Sequence, residues 1–468
     1  MENIIFKAYL KKYRFLSRIL KGTPNMIRFA FLPWIIWTIG LFTFWPGMMS
    51  RDSLVQWSQI QSGGFYDLQP AFHTLLMWFI TFFCNSPSTI VFVQIITLGL
   101  VVGWLLSSIQ KKLQIPIKWI WIASIISAIS PINLVLVNTL WKDVFYTTVV
   151  IAITTIFFNI STNNSNWFKS KKNIFSLSLL LAMAFLLRWN GLSVTVGCLI
   201  SLVVFYKKDI KNIVILSLIT LLMILFVRGP LFNQLKIESS DWFFYTLPIH
   251  HMGAFLNADI YFSNDEEEFL DKVSPISNNW EYECGKNIQK AFGTNLGIDL
   301  IYDKDYFLEN KSKFMQIYFS KVKNNPSVLF NHILCSSAFI WNPNAWMKSK
   351  MQLKTLGGTR WIPTPNKYNI HSNSKIQNFV APLTKYIKFS IPVWRPALYL
   401  YLLFFLTLWM FFYQDNKILA LVFIPIFCHC LGLAIVSITP EFRFQFPVIV
   451  FSQIIWVILF KTNISNKI

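Results

Sequence analysis

Apolar runs close to the length of a bilayer crossing recur along this chain, and they leave it few folds. A helix needs roughly 20 predominantly apolar residues to cross hydrocarbon. Runs of that kind cover Phe29 to Trp45, Thr89 to Ser107, Trp119 to Val137, Val144 to Phe158 and Ile174 to Leu187. Others cover Leu192 to Tyr206, Ile213 to Val227, Ala397 to Tyr413, Ile418 to Ile438 and Phe446 to Phe460. Of 468 residues, 54% are hydrophobic and 13% charged, too little charge to cover a soluble surface of this size. The expectation is an all-α polytopic membrane protein with about ten spans. The first run is too long and aromatic for a signal-peptide core, and no small-residue cleavage site follows it, so it reads as an uncleaved anchor.

Charge sets the expected sidedness. Lys7, Lys11, Lys12, Arg14, Arg18, Lys21 and Arg28 make residues 1–28 a basic cytoplasmic segment. Lys111, Lys112 and Lys118, then Lys169, Lys171 and Lys172, then Lys207, Lys208 and Lys211 fall on the same side. That holds if His73 to Phe83, too short for a span, is a juxtamembrane helix. Residues 29–228 then form one transmembrane module, with a first external loop over 46–88. Residues 229–391 form an external domain of mixed helices and loops, in which Ser327 to Ile340 lies on or dips into the bilayer. Residues 392–468 hold the last spans. The net charge of +21 is spread over short loops. It fits the positive-inside rule and attraction to anionic membrane lipids better than the contiguous basic surface that nucleic acid requires.

The six cysteines have no zinc-ribbon spacing. Cys428, His429 and Cys430 point to different faces of one apolar helix, which favours packing over a metal. Cys284 and Cys335 are able to pair in the external domain.

On this topology the unusual polar residues all fall on the outer side. Asp52, Asp67 and His73 lie in the first external loop. Lys142 and Asp143 follow the third span, Arg188 and Asn190 the fifth, Arg228 the seventh, and Glu441 and Arg443 the ninth. Ionisable residues held near a bilayer are costly and mark sites, although a lone arginine often snorkels to headgroups. Either Asp52 or Ser50 is placed to cap the helix that follows. Lys142, Arg188 and Arg443 suit a phosphate. Asp52 and Asp67 are able to take a proton from a hydroxyl or to hold a divalent cation. Trp57, Phe65, Tyr66, Trp141 and Trp189 are either a stacking surface for a sugar or an interfacial aromatic belt.

Several motifs carry a resemblance: Pro46-Gly47, Ser50, Asp52-Ser53 and Gln56; Trp141-Lys142-Asp143; Arg188, Asn190-Gly191; and Glu441, Arg443 before the last span. In this order, around an acidic first loop and a large late external domain, they resemble the GT-C integral-membrane glycosyltransferases. That superfamily includes protein O-mannosyltransferases, oligosaccharyltransferases and the lipid A aminoarabinose transferase, and uncharacterised bacterial members are the nearest pattern. Gln69-Pro70 departs from it, since a His-Pro pair is expected there.

The resemblance implies a polyprenyl-phosphate-sugar donor used at the outer face of a bacterial cytoplasmic membrane, with a glycan, lipid or protein acceptor. It implies Asp52 as catalytic carboxylate and Asp143 as the second acidic position. Asp67, His73, Lys142, Arg188, Asn190, Glu441 and Arg443 would bind substrate. A divalent cation, Mg or Mn, would sit on Asp52 and Asp143 if one is used. The competing readings are a polysaccharide polymerase and a transporter of lipid-linked oligosaccharide. The early acidic loop speaks against the polymerase. The absence of a visible inverted repeat speaks against the transporter.

Overall fold

A computed structural model describes residues 24–238, 245–280, 303–345, 394–413, 417–437 and 441–461. The described residues are mainly helical, joined by turns and short irregular segments, with two isolated bridges. Among the described residues, six helices are long and apolar enough to cross a membrane: Asn25–Thr43, Pro87–Leu113, Lys142–Thr162, Lys207–Gln234, Lys417–Val436 and Phe442–Phe460. The chain is thus a polytopic membrane protein.

A seventh candidate is the pair Ile117–Ile129 and Pro131–Val137, bent by 57° at Ser130. Proline at the head of the second half cannot donate to the first, which is where the helix breaks. The sequence reading treated this pair as one span. Lys171–Leu187, Gly191–Phe205 and Pro396–Phe412 fall where further spans are expected but are shorter. Ala71–Thr81 is the short helix expected beside the membrane.

Lys142–Asn163 is the axis of the bundle. Its span is 94% buried, and Pro87–Leu113, Lys171–Leu187, Ile424–Val436 and Phe446–Ile455 pack around it. It is apolar on every face, as a helix enclosed by others should be. Lys207–Gln234 is only 17% buried and carries the outward side chains Leu218, Leu221, Leu222 and Leu225, as lipid contact requires.

The described part of the domain expected outside is helical, with its own apolar core of Phe255, Phe269, Phe307 and Phe314. Its helix Asn264–Val273 starts with a capping box between Ser263 and Glu266. Where Ser327 to Ile340 was expected on the bilayer, Pro326–Ser336 packs against Ile424–Val436, and Ala338–Trp341 against Pro396–Tyr413. Cys335 is disulfide-bonded. Cys284, residues 1–23 and residues 346–393 lie outside the described residues.

Three histidines meet in this core. The His332 ring lies 4.6 Å from His250 and 5.2 Å from His251, and His251 Nδ1 is 2.8 Å from the Tyr318 hydroxyl. Burial first, then their mutual repulsion, lowers His250 and His251 from 6.5 to about 3, and burial lowers His332 to about 4. An unfolded histidine protonates near 6.5, whereas these rings refuse the proton until far lower pH. Between those limits the unfolded chain binds more protons, so stability falls as pH falls. Amide protection in the helices Thr246–Leu256 and Pro326–Ser336, corrected for the intrinsic pH dependence of exchange, should therefore be lower at about pH 5 than at about pH 7.5, and His332→Phe should flatten the difference.

Candidate functional site

Four helix beginnings meet at one end of the bundle. They belong to Arg51–Ser62, Lys142–Asn163, Gly191–Phe205 and the turn Phe442–Gln445 that leads into Phe446–Ile455. A tight connection brings the first two together. The Trp45–Pro46 peptide is cis and Gly47 has φ +120°, a conformation closed to other residues. A Cβ on Gly47 would also lie 2.7 Å from Val91 Cγ2. Met48 then runs beside the end of the broken span. Its N–H donates to Asn138 O at 2.8 Å, and its carbonyl accepts from Leu140 N at 2.9 Å. Ser53 Oγ donates to Leu140 O at 2.6 Å, and Trp141 Nε1 to Ser50 Oγ at 2.7 Å.

Ser50, not Asp52, caps the first of these helices, in a capping box with Ser53. Asp52 is left without a capping role. Its Oδ2 accepts from Arg443 Nη2 at 2.8 Å. Arg443 Nε pairs with Glu441 Oε2 and lies 3.8 Å from Asp143 Oδ2. Arg188 Nη1 pairs with the other oxygen of Asp143. Arg188 Nε donates to Asn190 Oδ1 at 2.8 Å. Lys142 Nζ donates to Gln69 Oε1, so Gln69 holds the lysine.

Three carboxylates and three cations thus gather from four distant stretches of sequence. Lys142 at a helix N-terminus opposes the helix dipole, so helix stability does not account for it. Aromatic faces carry both guanidiniums. Arg188 lies 4.3 Å from the Phe444 ring centroid, and Arg443 lies 4.6 Å from that of Trp141.

The two catalytic candidates differ in access. The Asp143 side chain is 3% exposed and faces a guanidinium on each oxygen, whereas Asp52 is 25% exposed. Burial pushes the Asp52 carboxyl up, but Arg443, Lys142 and Arg188 together outweigh it and hold it below the usual range. Asp52 is therefore ionised at neutral pH and is the more accessible of the two.

Asp67 and His73 serve the loop rather than the cluster's ion pairs. Asp67 accepts from Arg228 Nη2 at 2.8 Å and caps the juxtamembrane helix through Ala71 N at 2.7 Å. Burial nevertheless raises its carboxyl above the ordinary value. Trp189 lies 4.5 Å from Arg228, so Trp141 and Trp189 carry cations, while Trp57 and Phe65 are buried. Gln56 Nε2 donates to Thr74 Oγ1 at 2.9 Å, which turns its Oε1 toward His73 Nδ1 at 3.1 Å. That nitrogen bears the hydrogen. Burial and Lys142 lower His73 to about 3, so the ring is neutral.

Tyr146 and Phe444, which sequence reasoning passed over, complete the site with Gln69, expected only as a departure from the pattern, and His429, expected only to pack. Tyr146 lies one helical turn from Asp143, which is a signal in the sequence. Phe444 has none.

The donor set does not fit a divalent cation in this arrangement. Asp52, Asp143 and Glu441 all face arginine, and an ion between them would be repelled by two guanidiniums. Among the described residues no group of three His, Cys, Asp or Glu is arranged to hold a metal. The chain matches no family description, no curated protein and no solved structure.

Arg443 is 8% exposed and holds several carboxylates. Arg443→Ala leaves them facing one another without it, and breaking such a buried pair costs about 3–5 kcal/mol. Its thermal unfolding in detergent should fall well below that of Glu441→Gln, which removes one charge from the rim.

Proposed function

We propose that this chain is a GT-C-type membrane glycosyltransferase that moves a sugar from a polyprenyl-phosphate donor to a hydroxyl of a glycan, lipid or protein. The observation that carries the reading is the pair of ring-backed arginines beside the partly exposed Asp52, at the meeting point of four helix N-termini. Helix N-termini favour anions, and guanidinium forks match phosphate oxygens. The carboxylate supplies the proton acceptor that a hydroxyl nucleophile needs.

In this reading the acceptor oxygen attacks the anomeric carbon as the bond from that carbon to the phosphate oxygen breaks. The hydroxyl proton passes to Asp52. The polyprenyl phosphate leaves with one more negative charge, which Arg188, Arg443 and Lys142 offset. A phosphate that draws Arg443 toward itself leaves Asp52 with less cationic support, and so more basic, when it must take the proton. Asp143 touches no reacting atom and orients both arginines. No step needs a metal.

General-base catalysis contributes about 10² to 10⁴-fold. Asp52→Asn should lose sugar transfer by that factor in proteoliposomes while still binding polyprenyl phosphate. Near-normal transfer would remove Asp52 from the mechanism.

The same reading puts the site on the outer face of a bacterial cytoplasmic membrane. Two things support this: the sidedness of the basic loops, and the Cys335 disulfide, which suits an oxidising compartment. With the exposed native thiol Cys84 removed, cysteines at Ser62 and Tyr261, both exposed, should react with an impermeant thiol reagent in intact cells. Protection of both would reverse the orientation.

The broken span favours a second reading, transport of a lipid-linked oligosaccharide, since interrupted helices line transporter sites. Its polar lining is uncharged, however: Asn133 Nδ2 donates to Ser127 O at 2.8 Å and to Gln453 Oε1 at 2.8 Å. The charged groups lie at the helix ends instead.

A further inference from the structure

His429 lies in the apolar helix Ile424–Val436 and is fully buried. Its neighbours fix where its hydrogen sits. The Arg188 guanidinium can only donate. Arg188 Nε therefore faces the carbonyl oxygen of the Asn190 amide, at 2.8 Å. That turns the amide nitrogen toward His429 Nδ1, at 3.0 Å. An amide nitrogen only donates, so Nδ1 must be bare. The Tyr146 hydroxyl, 3.1 Å from the same nitrogen, donates to it as well. The ring hydrogen is then on Nε2, which lies 2.9 Å from the carbonyl of Phe444, an obligate acceptor.

One polarity thus runs from Arg188 through Asn190 and His429 to the backbone of Phe444. It closes on itself, because the Phe444 ring lies under the Arg188 guanidinium at 4.3 Å. His429 holds Arg188 from two sides: through Asn190 at its edge and through Phe444 at its face. Arg188 Nη1 meets Asp143, and the relay fixes the plane in which the rest of the guanidinium is presented.

We propose that His429 is a positioning residue for anion recognition, setting the plane of Arg188 for a phosphate carried on a lipid. This rests on the phosphate-lipid reading above. A histidine that only filled space would be replaceable by another ring. A relay needs an acceptor facing Asn190 and a donor facing Phe444, both of which a glutamine amide supplies.

The test uses the full chain in phosphatidylcholine nanodiscs, titrated with polyprenyl monophosphate. His429→Phe keeps a ring but strands the Asn190 amide and the Phe444 carbonyl, and should bind about tenfold more weakly. His429→Gln should recover most of the affinity, and Arg188→Ala should bind more weakly still. Nitrogen-15 spectra of histidine-labelled wild-type protein supply a second readout. The His429 signals, assigned by their loss in His429→Gln, should report a bare Nδ1.

Equal binding by wild type and His429→Phe, with Arg188→Ala impaired, would overturn the positioning role and leave the phosphate reading standing. A protonated Nδ1 in the wild type would also overturn the relay. A wild-type protein that does not bind the lipid would defeat the phosphate reading itself.

Discussion

The ion pair between Arg443 and Asp52 joins positions 391 residues apart, and the arrangement of the site depends on it. It ties the first loop to the turn before the last span. Arg443 reaches Glu441 and Asp143 as well, so one guanidinium sets the spacing of three carboxylates. Such an arrangement is stable only when complete. Each charge was removed from water at a penalty, and only close partners offset it.

The helices around the cluster supply what the charges lack. Lys142–Asn163, enclosed by its neighbours, cannot shift without moving the bundle. Its first turn therefore presents Lys142 and Asp143 on a rigid base. The Met48 to Leu140 contacts clamp the loop carrying Asp52 to that base. Phe444 and Trp141 replace water on the faces of the arginines without taking the edges that an anion would meet. The guanidinium edges meet carboxylates and the Asn190 amide, and the apolar rings lie on their faces.

Much of the architecture was legible in the sequence, because crossing a bilayer imposes a length and a composition that no local preference overrides. The juxtamembrane helix was recognisable from its short apolar run after Pro70. The break at Ser130 was hidden because both halves are apolar and together long enough to pass as one span. The convergence of Asp52, Lys142, Asp143, Arg188, Asn190, Glu441 and Arg443 followed from sidedness, since charges on one face of a thin slab lie within reach of one another. Asp67 was legible as a loop carboxylate but not as the partner of Arg228, 161 residues away. Nothing local to either residue encodes that distance.

By itself, the sequence determined that this chain enters a membrane as apolar helices and carries its ionisable groups at their ends. Hydrophobic length and the cost of burying charge decide both. Only the tertiary structure decided the pairing. It made Ser50 rather than Asp52 the cap, turned Asp143 inward between two arginines, left Asp52 partly exposed, and gave His429 a fixed hydrogen. Those outcomes depend on distances of a few ångströms between helices far apart in the chain, and on the rule that each buried donor must meet an acceptor. That rule acts only once the helices are packed.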